Sequence, residues 1–202
     1  MAFGLGALVA ASQGAQGSAA GEYDADVRFV DFGILQLRQW NVIRLILADQ
    51  VDDGCWTTTR QTKTAAEIEL IRSNIDVIEN SGDGFLAPKL FVGAIGFETR
   101  EGSCAVYVET QAFVWDVEKK EVENQTMSGI WERSLWSTGS LLSGPKDGMS
   151  ERVQSAITSQ VQEFLVFLEN TFRDIISEVR EEEGDAAARY WETFFNGPSR
   201  QN

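Results

Sequence analysis

The chain predicts an α+β fold: a mostly antiparallel sheet of about five strands, two helices on one face, and a long C-terminal helix extending beyond the domain. Three observations carry this. Lys89–Thr99 and Cys104–Val117 are β-runs joined by Arg100-Glu101-Gly102-Ser103, a hairpin loop with its glycine. Ser150–Glu183 bears a helical apolar stripe. The 202 residues, 43% hydrophobic and 24% charged, have the ordinary composition of a chain that buries a core.

In chain order, Val42–Leu47 reads as a buried strand ending at the acidic turn Asp49–Gly54. Thr59–Ser73 predicts a helix, with Thr64 and Glu67 at capping-box spacing and Ala65, Ile68 and Ile71 on one face. Ile75–Ile78 is a short strand and Asn80–Gly84 a turn tract. In the second hairpin strand Val106, Val108, Ala112 and Val114 face the core. Tyr107, Glu109, Gln111, Phe113 and Trp115 form the other, partly covered side. Glu118–Asn124 reads as a charged turn, Gln125–Trp136 as a returning antiparallel strand, and Ser137–Gly148 as a glycine- and serine-rich connecting loop.

The terminal helix repeats Val153, Ile157, Val161, Phe164, Leu168, Phe172, Ile175 and Val179 with an eleven-residue period, a nearly straight stripe. Leu165, Val166, Phe167 and Ile176 widen it in the middle, where it is expected to lie deepest. At 1.5 Å per residue such a helix spans roughly 50 Å, against a domain diameter of order 35 Å. Acid at its end, Glu181-Glu182-Glu183, opposes the macrodipole. Gly184 stops it and Asp185 caps a last helix carrying Tyr190, Trp191, Phe194 and Phe195.

Charge and residue usage exclude whole classes of function. The formal net charge is -14, from 31 acidic and 17 basic side chains, opposite in sign to a nucleic-acid binder's footprint. Histidine is absent, which removes Ser-His-Asp and Cys-His nucleophile systems, imidazole ligation and the usual neutral-pH switch. No segment has the roughly 20 apolar residues of a membrane span.

Residues 1–21 are uncharged. Phe3–Ala11 and Ser12–Ala20 resemble the apolar and cleavage regions of a secretory signal, without the basic start, and Ser18-Ala19-Ala20 or Ala15-Gln16-Gly17 fits the cleavage pattern. A disordered tail is the alternative. No cysteine sits there to support a lipid anchor. Export in turn bears on Cys55 and Cys104, since an even count in an oxidising compartment favours a structural disulfide. A reactive thiol would lack the Cys-x-x-Cys motif.

Catalytic and metal candidates are thin. Asp49, Asp52 and Asp53 could offer oxygens to calcium, but do not follow an EF-hand pattern and read as a solvated turn. Gly139–Lys146 departs from a phosphate loop: Pro145 removes a backbone N–H, and Asp147 replaces the magnesium-binding hydroxyl. A histidine-free hydrolase using Glu109 or Lys146 stays formally open. No catalytic, cofactor or metal residue is assigned, and no cofactor is expected. Trp56, Trp115, Trp131 and Trp136, with Tyr107 and Phe113, either form a second core or offer a ligand face.

An ordered string of segments carries a resemblance. Glu67-Ile68-Glu69-Leu70-Ile71-Arg72 leads into Ile75-Asp76-Val77, then Pro88-Lys89-Leu90-Phe91-Val92 opens a strand. Trp136-Ser137-Thr138-Gly139-Ser140 precedes the long helix with Gln160, Phe164 and Leu165. Over residues 40–170 this resembles a family of small exported bacterial proteins. The topology is also similar to the periplasmic α/β domains of outer-membrane assembly proteins, including the curli secretion channel family. These likenesses imply location and fold, with no activity attached.

The expected organisation is thus a signal-like segment over 1–21, an α+β domain over 22–170 and a helical extension with an aromatic tail over 171–202. The expected role is a non-catalytic subunit of the bacterial envelope, periplasmic or extracellular, which binds a protein partner or its own copies. The candidate partner surface is Phe172, Ile176, Val179, Tyr190, Trp191, Phe194 and Phe195. The alternative is a glycan- or small-molecule-binding module using Tyr107, Phe113 and Trp115.

Overall fold

The computed structural model describes residues 37, 41–78, 87–122 and 125–196, with backbone alone at 116–122, 125–128 and 195–196. The signal-like segment 1–21 and the turn tract 80–84 lie outside the described residues. The elements are β1 (Val42–Val51), α1 (Thr59–Arg72), β2 (Asp76–Ile78), β3 (Lys89–Arg100), β4 (Ser103–Val122), β5 (Gln125–Pro145), α2 (Met149–Glu183) and α3 (Asp185–Asn196).

The five strands form one sheet in the order β2-β1-β3-β4-β5. It is mixed, where the sequence predicted mostly antiparallel pairing. β1 runs parallel to β2 and to β3, while β3–β4 and β4–β5 are antiparallel. The physical reason is α1: a helix between neighbouring strands returns the chain to the end it started from, so β1-α1-β2 is a parallel crossover.

Two further expectations are corrected. The charged segment 118–122 continues β4, which pairs with β5 down to Val122↔Gln125. The glycine- and serine-rich stretch 137–145 is strand, in register with 103–111. Its composition serves its neighbours. A side chain at Gly139 would collide with the Tyr107 ring, which lies across it, and Ser140 bonds to α2.

One sheet face is covered by α1 and α2. Ile43, Leu45, Leu90, Val92, Val106, Val108, Ala112 and Val114 point into a core shared with Ala66 and Leu70 of α1 and with Val153, Ile157, Val161, Phe164 and Leu168 of α2. The face of α1 is thus Thr62, Ala66 and Leu70, not the predicted Ala65, Ile68 and Ile71: Ile71 is 58% exposed. Thr64 and Glu67 lie inside α1, and Thr58 is the N-cap. On α2 the stripe holds, except that Ile176 rather than Ile175 is buried and Val166 faces out. From Phe172 onward the buried residues of α2 join a second cluster, completed by Ala187 and Ala188 of α3 with Trp191 half-buried.

The predicted disulfide is present. Cys55 and Cys104 are buried with Cα atoms 5.9 Å apart and a sequence separation of 49. Closing a loop of that length stabilises the fold by about 4 kcal/mol in the chain-entropy account.

One polar contact seats α2. Gln160, 2% exposed, accepts from Thr110 Oγ1 at 2.8 Å and donates to Ser140 Oγ at 3.2 Å and the Val108 carbonyl at 3.4 Å. A turn later Phe164 meets Trp136 with ring centroids 5.5 Å apart. The motif residues Trp136, Ser140, Gln160 and Phe164 therefore meet as a packing and register device. Replacing Gln160 by Leu leaves the Thr110 hydroxyl buried without its partner and is expected to cost about 2–3 kcal/mol. Adding Thr110→Val is expected to return about 1 kcal/mol, both read from urea midpoints at unchanged m.

Candidate functional surfaces

The sheet face opposite α1 and α2, open among the described residues, has an apolar ladder. Ile95 pairs with Tyr107 and Tyr107 with Leu141, so three side chains stand at one level across β3, β4 and β5. All three are exposed, Leu141 at 73%, and Phe97 lies beside them. Glycines admit rings here: side chains at Gly93 and Gly139 would collide with Phe91 and Tyr107. Of the predicted ligand-face residues, Tyr107 belongs to this ladder. Phe113 and Trp115 are half-buried farther along, where Lys89 Nζ sits 4.8 Å above the Trp115 ring and 2.6 Å from Glu132. Sequence reading missed Ile95, Phe97 and Leu141. Their signal is the strand register, and Leu141 was hidden because 137–145 looked like a loop.

Beyond Phe113 there is no β3 partner, so Val114–Val122 and 125–133 continue as a two-stranded ribbon with Ile130 and Trp131 exposed. The four tryptophans singled out in the sequence as a second core or ligand face divide. Trp56 is core, Trp136 packs on it, Trp131 is exposed, and Trp115 lies on the open face.

At the C-terminal end, Gly184 at φ 91° takes a left-handed turn that an L side chain resists, and α3 folds back on α2. Arg180 clamps the pair, bonding Glu192 at 2.8 Å and Asp185 at 3.3 Å, and places a cation amid the acidic end of α2. Phe172, Ile176 and Val179 are buried in this seam. On the outside Tyr190 stacks on Phe194 with centroids 6.2 Å apart, and Trp191 meets both edge-on. Tyr190 is 63% and Phe194 42% exposed. Phe195 lies in α3 at a position described by backbone alone. The other six predicted partner residues thus separate into a buried seam and an outer ring surface.

The hydrolase candidates do not meet. Lys146 bonds Glu98 at 3.0 Å beside the β3–β4 turn. Glu109 accepts from Gln111 on the open face, roughly 20 Å along the strand from Ser103. The acidic turn spends its oxygens locally: Asp49 accepts from Thr59 and the Val51 N–H, and Asp53 from the Glu98 N–H. Among the described residues there is no metal-ligating cluster, and no helix is long and apolar enough to cross a membrane. A groove of about 390 Å³, which sequence reading missed, is lined by Leu37, Ile75, Leu165 and Leu168.

Glu98 has its carboxyl held below the usual range, first by the Gly102 backbone N–H and then by the Lys146 ammonium. A carboxylate depressed on folding contributes stability above its unfolded pKa and loses it as pH falls through the folded one. Glu98→Gln is therefore expected to lower the melting temperature at neutral pH. That difference is expected to vanish on acidification below the carboxylate range, followed by thermal unfolding across pH.

No protein-family model matches the chain, and no curated protein matches it. Among solved structures it is similar to a dodecamer of a PelC variant from Paraburkholderia phytofirmans, with 19% identity, a TM-score of 0.38, and 59% of this chain and 84% of that chain covered. It is also similar to an uncharacterised protein, with 11% identity, a TM-score of 0.34, and 63% and 92% covered. Neither likeness identifies a function.

Proposed function

We propose that the chain is a non-catalytic assembly subunit of the bacterial envelope that holds a protein partner through the outer face of α3. The observation that carries this is the Tyr190–Trp191–Phe194 ring cluster, set on a helix whose inner face is already satisfied by Phe172, Ile176 and Val179. Aromatic side chains at such density dominate binding energy where a partner desolvates them. The buried disulfide supports folding in an oxidising compartment, hence export. The separate core of the α2–α3 hairpin supports its reading as an extension with its own task.

The open sheet face is the weaker choice for a glycan or small molecule. Such sites are concave and enclose most of the ligand, whereas Ile95, Tyr107 and Leu141 stand exposed on a sheet face that none of the described helices walls in. Among the described residues no catalytic constellation supports the hydrolase reading.

Crosslinking in intact cells followed by affinity capture of the full chain tests the proposal. Wild type is expected to retain a defined partner, and Tyr190→Lys/Phe194→Lys to lose it by roughly tenfold or more. Equal recovery by both proteins, with equal melting temperatures, would contradict it.

A further inference from the structure

β5 is the last strand of the sheet. Its 21 residues pair with β4 along one side, and among the described residues no strand pairs along the other. The opposite edge strand, β2, has only three residues. Long edges expose unpaired N–H and C=O groups, and proteins blunt them with charge, proline, bulges or brevity. β5 has such devices only toward the ends of this stretch. Arg133 and the register shift opposite Ala112/Phe113 stand at one, and Pro145, Lys146 and the Arg152 guanidinium on the Ser143 carbonyl at the other. From Ser134 to Gly144 there is neither charge nor proline, in a chain of which 24% is charged.

The layers on either side of this edge are consistent with a two-fold. On the open face the ladder Ile95–Tyr107–Leu141 stops at the edge with its most exposed member. On the covered side Arg152 Nη1 donates to the outward-pointing Ser143 carbonyl at 3.0 Å, which caps the edge at that one position and puts that flank of α2 over β5. Glu163 is eleven residues on, about 20° from the same angular position, and has no ion-pair partner among the described residues. α2 runs antiparallel to β5, with Arg152 level with Ser143 and Phe164 level with Trp136. The midpoint of Arg152 and Glu163 therefore lies level with Gly139–Ser140, the middle of the neutral stretch.

We infer that β5 pairs antiparallel with β5 of a second copy about a two-fold axis near Gly139, merging two five-stranded sheets into one. Antiparallel pairing is the arrangement in which a strand complements itself across a two-fold. The axis sets Arg152 of each copy toward Glu163 of the partner subunit. Charge selects a second copy over a foreign strand. A basic partner finds no acid on this stretch, whereas two chains of net charge -14 can approach where neither carries charge, flanked by a self-complementary Arg–Glu pair. This surface is separate from the α3 rings.

Sedimentation equilibrium on the full chain tests the pairing, in a Tyr190→Lys/Phe194→Lys background that removes association through α3. A dimer is expected. Leu141→Lys, at an exposed position that leaves the monomer folded by circular dichroism, is expected to weaken it by at least about thirtyfold. Arg152→Glu is expected to weaken it roughly tenfold, and Arg152→Glu/Glu163→Arg to restore it. Because these residues are three turns apart on one helix, rescue reports contact between copies rather than repair within one. A monomeric background protein, a dimer indifferent to Leu141→Lys, or a double variant no tighter than Arg152→Glu would each overturn the proposal.

Discussion

Gln160 is a carboxamide in a helix face otherwise made of aliphatic and aromatic side chains. Burying it is tolerable only where its oxygen and nitrogen both find partners, and Thr110, Ser140 and the Val108 carbonyl supply them. A shift of α2 by one turn, about 5.4 Å, would break all three contacts. Hydrophobic packing alone sets no such register, because the eleven-residue stripe looks much the same after a slide. The amide therefore decides which part of α2 covers the sheet. It also decides which part is left for α3.

The same local chemistry shapes the sheet. Ser140 must be small to reach Gln160, and Gly139 must lack a side chain so that Tyr107 can lie across it. These demands give β5 a composition without charge or bulk, and they leave its outer edge neutral. The edge, the open-face ladder and the seat of α2 are thus consequences of one strand's interactions. Net charge is carried elsewhere, the largest share of any element on α2.

Much of this was legible in the residues. Period-two alternation placed Val106, Val108, Ala112 and Val114 inward, the stripe on α2 emerged from spacing, and the two cysteines gave the disulfide. The mixed sheet was not read, because strand direction depends on where α1 carries the chain rather than on either strand's own residues. The exposure of Ile68 and Ile71 escaped for a related reason: Thr62, Ala66 and Leu70 form an equally regular face, and only the neighbouring helix chooses between them. β5 escaped because glycine and serine weaken strand propensity, while their value here lies in contacts with Tyr107 and Gln160 that are distant in sequence. For the candidate surface, Tyr190, Trp191 and Phe194 could be named from the sequence, but the turn at Gly184 decided which rings face outward.

α2 is one helix held by two clusters, its first half locked by Gln160 and its second packed, among the described residues, on α3. Native-state hydrogen exchange resolved along α2 tests this most directly. Amides of residues 153–168 are expected to exchange only through global unfolding, while residues 172–183 exchange together with α3 through a smaller opening of lower free energy. Uniform protection along the whole helix, with both halves sharing one denaturant dependence, would contradict it.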